Sequence, residues 1–211
     1  MGNRAIIKPI DSTNSIYLHW NGGRDSIEAF LKYCELKGYR GLGQDTSYGL
    51  ARLTQVISNF FGGTTSIGIC NCDGTENSSP GDNGIYIVEG WAIIDRVDCT
   101  YEQREYELNE MLVVIDNAQP KNEQLGEFLT AKEVHTSELK IDDVVYIQDW
   151  SGKLETFKVV GFGEKDQMNN GRKVENVPYV NNYDHDGDYS WNINNYIFNK
   201  TVRIKRAERE E

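Results

Sequence analysis

Seven consecutive residues, His19-Trp20-Asn21-Gly22-Gly23-Arg24-Asp25, bring an imidazole, an indole, an amide, a guanidinium and a carboxylate to one point in the chain. Two chemistries fit them. Gly22 and Gly23 precede a helical pattern, and a helix N-terminus attracts anions through its free backbone N–H groups and its dipole. Arg24 adds a bidentate fork for phosphate or carboxylate. With the nearby cation Arg4, the predicted ligand-binding set is Arg4, His19, Asn21, Gly22, Gly23 and Arg24. The rival chemistry makes His19 and Asp25 the acid–base pair of a small hydrolase. It lacks a nucleophile, because Ser26 reads as a first-turn helix residue, Cys34 as core, and no Gly-x-Ser-x-Gly elbow is present. A phosphate-binding loop and a dinucleotide fingerprint are absent as well. A purely structural turn competes with both, with the glycines at positive φ, Trp20 in the core and His19 bound to a carboxylate.

Other constellations are weaker. Asp184-His185-Asp186-Gly187-Asp188 is similar to a calcium loop, with Asp184, Asp186 and Asp188 as the oxygen donors, but its glycine and its final residue depart from that pattern. Cys70-Asn71-Cys72 has one intervening residue and no second close pair, which is poor spacing for zinc. The three histidines are too dispersed for a histidine-rich metal centre, and no cofactor is expected. The polar loop Asp73 to Asp82 and the acidic stretch Asp184 to Asp188 suit a basic protein partner.

The elements that must position these residues follow from periodicity. Asn3 to Ile10 and Ser15 to Trp20 read as a hairpin around Asp11-Ser12-Thr13-Asn14. Asp25 with Glu28 fits a capping box opening the first helix, whose stripe is Ile27, Phe30, Leu31 and Cys34 and whose stop is Gly38. A second helix is capped by Asp45, Thr46 or Ser47, carries Leu50, Leu53, Ile57, Phe60 and Phe61, and ends at Gly62-Gly63. A strand at Ser66 to Cys70 and a hairpin from Ile85 to Val97 follow, then a helix over Glu102 to Asn117. The predicted fold class is α+β: residues 1–117 form a sheet with helices on one face, and 118–126 form a linker. Residues 127–207 form a small SH3-like β-barrel with a helical turn at Ala131 to Val134 and a long Asn/Asp/Tyr-rich insert, Gly163 to Asn195; residues 208–211 are a charged tail.

The chain of 211 residues carries a net charge of −11, with 9 basic against 16 acidic residues up to Asn117 and 13 against 17 beyond it. Nucleic-acid binding needs clustered cations, so neither half is expected to bind it. No apolar run spans a bilayer and the N-terminus lacks a secretion signal's apolar core, so no membrane association and a cytoplasmic location are expected.

Three stretches, Gly2-Asn3-Arg4-Ala5-Ile6-Ile7, Ile16-Tyr17-Leu18-His19-Trp20-Asn21-Gly22-Gly23 and Ala51-Arg52-Leu53, make residues 2–62 resemble a group of small bacteriophage and prophage proteins. Members open with Gly-Thr/Asn-Arg and a short apolar strand, then an aromatic-x-His-Trp/Phe-Asp/Asn-Gly turn and a helix. This chain departs at Asn21, where many have Asp, and at Gly23-Arg24, where many have Tyr-Pro. No catalytic residue comes with the resemblance. It implies a non-enzymatic binding protein in a bacterial host cell, an antagonist of host defence that sequesters a nucleotide-like or other anionic small molecule or blocks a basic host protein. A small hydrolase and a purely structural interaction module are the alternatives.

Overall fold

The computed structural model describes residues 2–99, 105–148, 154–167, 172–182, 190–192 and 201–206. The chain divides into two compact units, Met1–Leu129 and Thr130–Glu211, each with its own sheet. The class is mixed α and β, with two sheets and three α-helices among the described residues.

In the first unit, β1 (Ala5–Pro9) and β2 (Asn14–Leu18) form the expected hairpin, with Ile7 opposite Ile16. β3 (Ile67–Asn71) adds antiparallel to β2. β4 (Ile85–Glu89) pairs parallel with β1, Ile6 against Ile85, and β5 (Ala92–Val97) returns antiparallel to β4 through a register shift at Ile87/Val88. The order is β3-β2-β1-β4-β5, so β1 is central and all five of its residues are buried. A central strand sits between two neighbours and is covered on both faces, which explains the consecutive apolar residues Ala5, Ile6 and Ile7.

The helices are α1 (Arg24–Leu36), α2 (Thr46–Phe61) and α3 (Leu108–Asn117). Their stripes, including Ile27, Phe30, Leu53, Ile57, Leu112 and Ile115, are buried, as are Ala5, Ile7, Ile16 and Leu18 of the sheet. Cys34 is buried as expected, and burial pushes its thiol up. On α2, Asp45 is the working cap, accepting from the Tyr48 N–H at 3.3 Å, and Gly62 closes the helix at φ 62°. The capping box predicted for α1 does not form. Its N-cap is Gly23 with no side-chain bond, because Glu28 turns instead to Arg24, one helical turn earlier. Of the helix expected over Glu102 to Asn117, the described part begins at Leu108; residues 100–104 lie outside the described residues.

Ile6, Ile85 and Cys72 form a smaller apolar cluster with Tyr17, Cys70, Ile87 and Val97. Lys8 is buried beside them, with its Nζ donating to the Pro9 carbonyl at 3.0 Å and its stem under Gly74 of the Asp73 to Gly84 loop.

Residues 118–126, read as a linker, are built into the first unit. Buried Asp116 accepts from the Tyr33 hydroxyl at 2.7 Å and from the backbone N–H groups of Leu125 and Gly126 at 2.7 and 2.9 Å. Lys37 donates to the Glu123 carbonyl at 2.6 Å. A polar composition suggested a tether, whereas these polar groups satisfy buried partners.

The second unit is a six-stranded antiparallel sheet of β6 (Lys132–His135), β7 (Val144–Gln148), β8 (Leu154–Gln167), β9 (Arg172–Asn182), β10 (Ser190–Asn192) and β11 (Thr201–Lys205). Its order is β10-β9-β8-β7-β11-β6, and it curls into a half-barrel. Val134, Val145, Phe157, Val159, Val180, Val202 and Ile204 fill its core. The helical turn expected at Ala131 to Val134 is strand β6 instead, held by Val134 opposite Val202. Part of the Asn/Asp/Tyr-rich insert is strand, since β8 and β9 form one long hairpin through residues 163–167 and 172–182.

Candidate functional site

The seven-residue turn lies between β2 and α1, and its backbone is tied down more tightly than its side chains. The Asn3 N–H donates to the His19 carbonyl at 3.2 Å and the Gly22 N–H to the Asn3 carbonyl at 2.8 Å, while the Tyr86 hydroxyl donates to the Gly22 carbonyl at 3.0 Å. A β-carbon on Gly22 would stand 2.6 Å from the Asn3 oxygen and 2.7 Å from the Ala5 Cβ, so this glycine exists for close approach. The positive φ falls on Asn21, at 53°, and not on either glycine; Gly23 is extended at φ −64°.

The two predicted cations are spent inside the fold. Arg4 donates through its backbone N–H and Nε to Asp82 Oδ2 at 3.1 and 2.9 Å, and this pairing holds the Asp82 carboxyl below its usual range. Arg24 donates from Nε to Glu28 Oε1 at 2.6 Å, and the other Glu28 oxygen accepts from the Tyr106 hydroxyl. Burial, and then Glu28, pushes Tyr106 up to about 12. Asn21 donates weakly to Ser26 Oγ at 3.5 Å. The structure therefore gives Arg4 and Arg24 different carboxylate partners.

The proposed acid–base pair, His19 and Asp25, shares no hydrogen bond or ion pair among the described residues. His19 is exposed, its Nδ1 lies 3.0 Å from the Tyr17 hydroxyl, and its ring meets Trp20 edge-on at 5.0 Å between centroids. Asp25 sits in the first turn of α1 with no hydrogen-bond or ion-pair partner among the described residues. Trp20, assigned to the core in the structural reading of the turn, is 44% exposed. Tyr17, His19 and Trp20 thus form a surface aromatic row.

Beside that row runs a feature the motif search missed. β3 is an edge strand that pairs with β2 and with no other described strand. The stretch Ser66 to Cys72 contains no charge and no proline, and Ile69 is 66% exposed. Its start lies against the aromatic row, since the His19 N–H donates to the Ser66 carbonyl at 2.8 Å. Its end runs into the loop Asp73 to Asp82. In that loop Asp82 belongs to Arg4, Asp73 is held down to about 2 by Ser78 and Thr75, and Glu76 is exposed. The opposite edge differs: β5 carries Asp95 and Arg96 and a bulge with β4. Charges and bulges are how sheet edges are normally blunted. The composition of these seven residues marks an uncharged strand, and only the sheet order places it at an edge.

Among the described residues no group of three or more His, Cys, Asp or Glu is arranged to hold a metal, so Cys70 and Cys72 are not a zinc site there. Asp184, Asp186 and Asp188 lie outside the described residues. No described helix is long and apolar enough to cross a membrane. No family model, curated protein or solved structure matches the chain.

Proposed function

We propose that the protein is a non-enzymatic binding protein that captures an extended segment of a basic protein along β3. The observation that carries this reading is the uncharged edge strand of the first sheet, which exposes Ile69 and pairs with no second described strand. An added strand gains backbone hydrogen bonds worth about 0.5–1.5 kcal/mol each, with specificity from alternate side chains. The row Tyr17, His19 and Trp20 at one end supplies aromatic contacts, Glu76 at the other end supplies an acid, and the net charge of −11 steers a cationic partner. The likeness of residues 2–62 to phage and prophage proteins supports a host protein in the bacterial cytoplasm as the partner, blocked by the capture. In this reading the second unit's antiparallel half-barrel is of SH3-like type.

The test is selection from a random peptide library followed by amide-shift mapping on the full chain. Basic, β-branched peptides are expected to perturb residues 67–71, and Ile69→Lys is expected to weaken them at least tenfold while leaving the fold intact. Selected peptides that map elsewhere, or that bind Ile69→Lys as well as the parent, overturn the reading.

A further inference from the structure

A different face of the first unit, between α1 and α2, carries a cation that the fold leaves uncommitted. Five arginines elsewhere are held by carboxylates or by backbone and amide oxygens: Arg4 by Asp82, Arg24 by Glu28, Arg96 by Asn83, Arg203 by Glu133 and Arg206 by Asp143. Arg52 pairs with no carboxylate among the described residues. Its Nη1 donates to Gln55 Oε1 at 3.0 Å, and its guanidinium lies 4.9 Å from the Tyr48 ring centroid and 5.7 Å from that of Tyr39. Stacking on aromatic faces fixes the plane of the fork while leaving most of its donors unused. Arg40 lies 4.4 Å from the same Tyr48 ring, tethered to Asp45 at 2.7 Å.

Two of the three partners of Arg52 also line a cavity. Tyr39 and Gln55 line a recess of about 10 Å³, together with Lys37, Asn59, Gln119 and Glu123. That volume admits one water-sized atom. Lys37 is nine-tenths buried there, and its ammonium has two acceptors, the Glu123 carbonyl at 2.6 Å and Glu123 Oε2 at 3.2 Å, for its three donors. Within the lining Lys37 and Glu123 carry opposite charges, and Arg52 adds a second positive charge beside the shared Tyr39 and Gln55, in a chain of net −11. The phenol of Tyr39 feels both signs: burial first, then Glu123, pushes it up to about 12, and Arg52 opposes them.

We propose that Arg52 and this recess bind an oxyanion, a phosphate or carboxylate, with one anion oxygen seated in the recess near Lys37 and the others on the Arg52 fork. This site is independent of β3. Its ligand is either a free anion or the phosphoryl end of a nucleotide, and both present the same chemistry to Arg52.

The experiment titrates the full chain with inorganic phosphate, acetate and adenosine monophosphate at constant ionic strength, against chloride, and reads amide shifts and melting temperature. The amides of Tyr39, Arg52 and Gln55 are expected to shift saturably with phosphate or acetate and not with chloride. Arg52→Gln, checked for an unchanged circular dichroism spectrum, is expected to weaken the response at least tenfold, and Arg52→Lys by less. Tighter binding of the nucleotide than of inorganic phosphate identifies a nucleotide as the source; equal binding identifies a free anion. The absence of a saturable response to any of the three, or an undiminished response in Arg52→Gln, overturns the proposal.

Discussion

At the scale of single residues, two positions in the first unit carry far more than their size suggests. Gly22 is one, because its neighbours at 2.6–2.8 Å are backbone atoms and a Cβ that cannot swing aside. Gly22→Ala is expected to cost about 1–3 kcal/mol in urea unfolding, the usual penalty for overpacking. Asp116 is the other, since Asp116→Ala leaves the Tyr33 hydroxyl and two backbone N–H groups without an acceptor. A loss of about 2–4 kcal/mol is expected from the same measurement, given roughly 1–3 kcal/mol per buried orphan. Asp73 shows the opposite regime, being fully exposed yet held near 2 by hydroxyl and backbone donors. Because its folded value lies below the ordinary one, its stabilising contribution is present at neutral pH and is lost as pH falls through about 2. A carboxyl-carbon NMR titration should place its midpoint there, and Ser78→Ala should raise it.

Elements were legible where local chemistry decided them, and illegible where a distant partner did. The cap and stop of α2, Asp45 and Gly62, were readable because each acts within one turn of chain. Asp45→Ala should cost about 1 kcal/mol of stability by thermal unfolding, whereas Asp25→Ala, which removes no cap, should leave it within about 0.5 kcal/mol. The box expected on α1 failed because Glu28 is claimed by Arg24 and by Tyr106, a residue 78 positions away. Strand β6 was misread for the same reason, its identity being set by Val202 across the sheet. The candidate site shows the limit most plainly. His19, Asn21 and Arg24 were visible as reactive types, but only the fold decides that Asp82, 78 positions away, neutralises Arg4. Nothing local announces that Ile67–Asn71 lies at an edge.

At the scale of the whole molecule, each of the two units carries its own sheet. A fragment ending at Leu129 keeps Asp116, Leu125 and Phe128 together and is expected to give a dispersed amide spectrum by itself. In the second unit, Arg206 donates to Asp143 at 3.0 and 3.1 Å, and Asp143 is 2% exposed. Removing residues 206–211 leaves that buried carboxylate only the Lys140 N–H, at 2.9 Å, among the described residues, so the truncated chain should show an earlier transition of that unit in calorimetry.

The parallel pairing of β1 with β4 has a consequence for how the chain is made. Ile6 meets Ile85, 79 positions later, so at bacterial or eukaryotic synthesis rates of about 5–20 residues per second the growing chain waits roughly 4–16 seconds for that neighbour. Throughout that interval one side of the central strand has no partner. The newborn chain is then most exposed to premature pairing at its very beginning, and a slower ribosome lengthens the hazard.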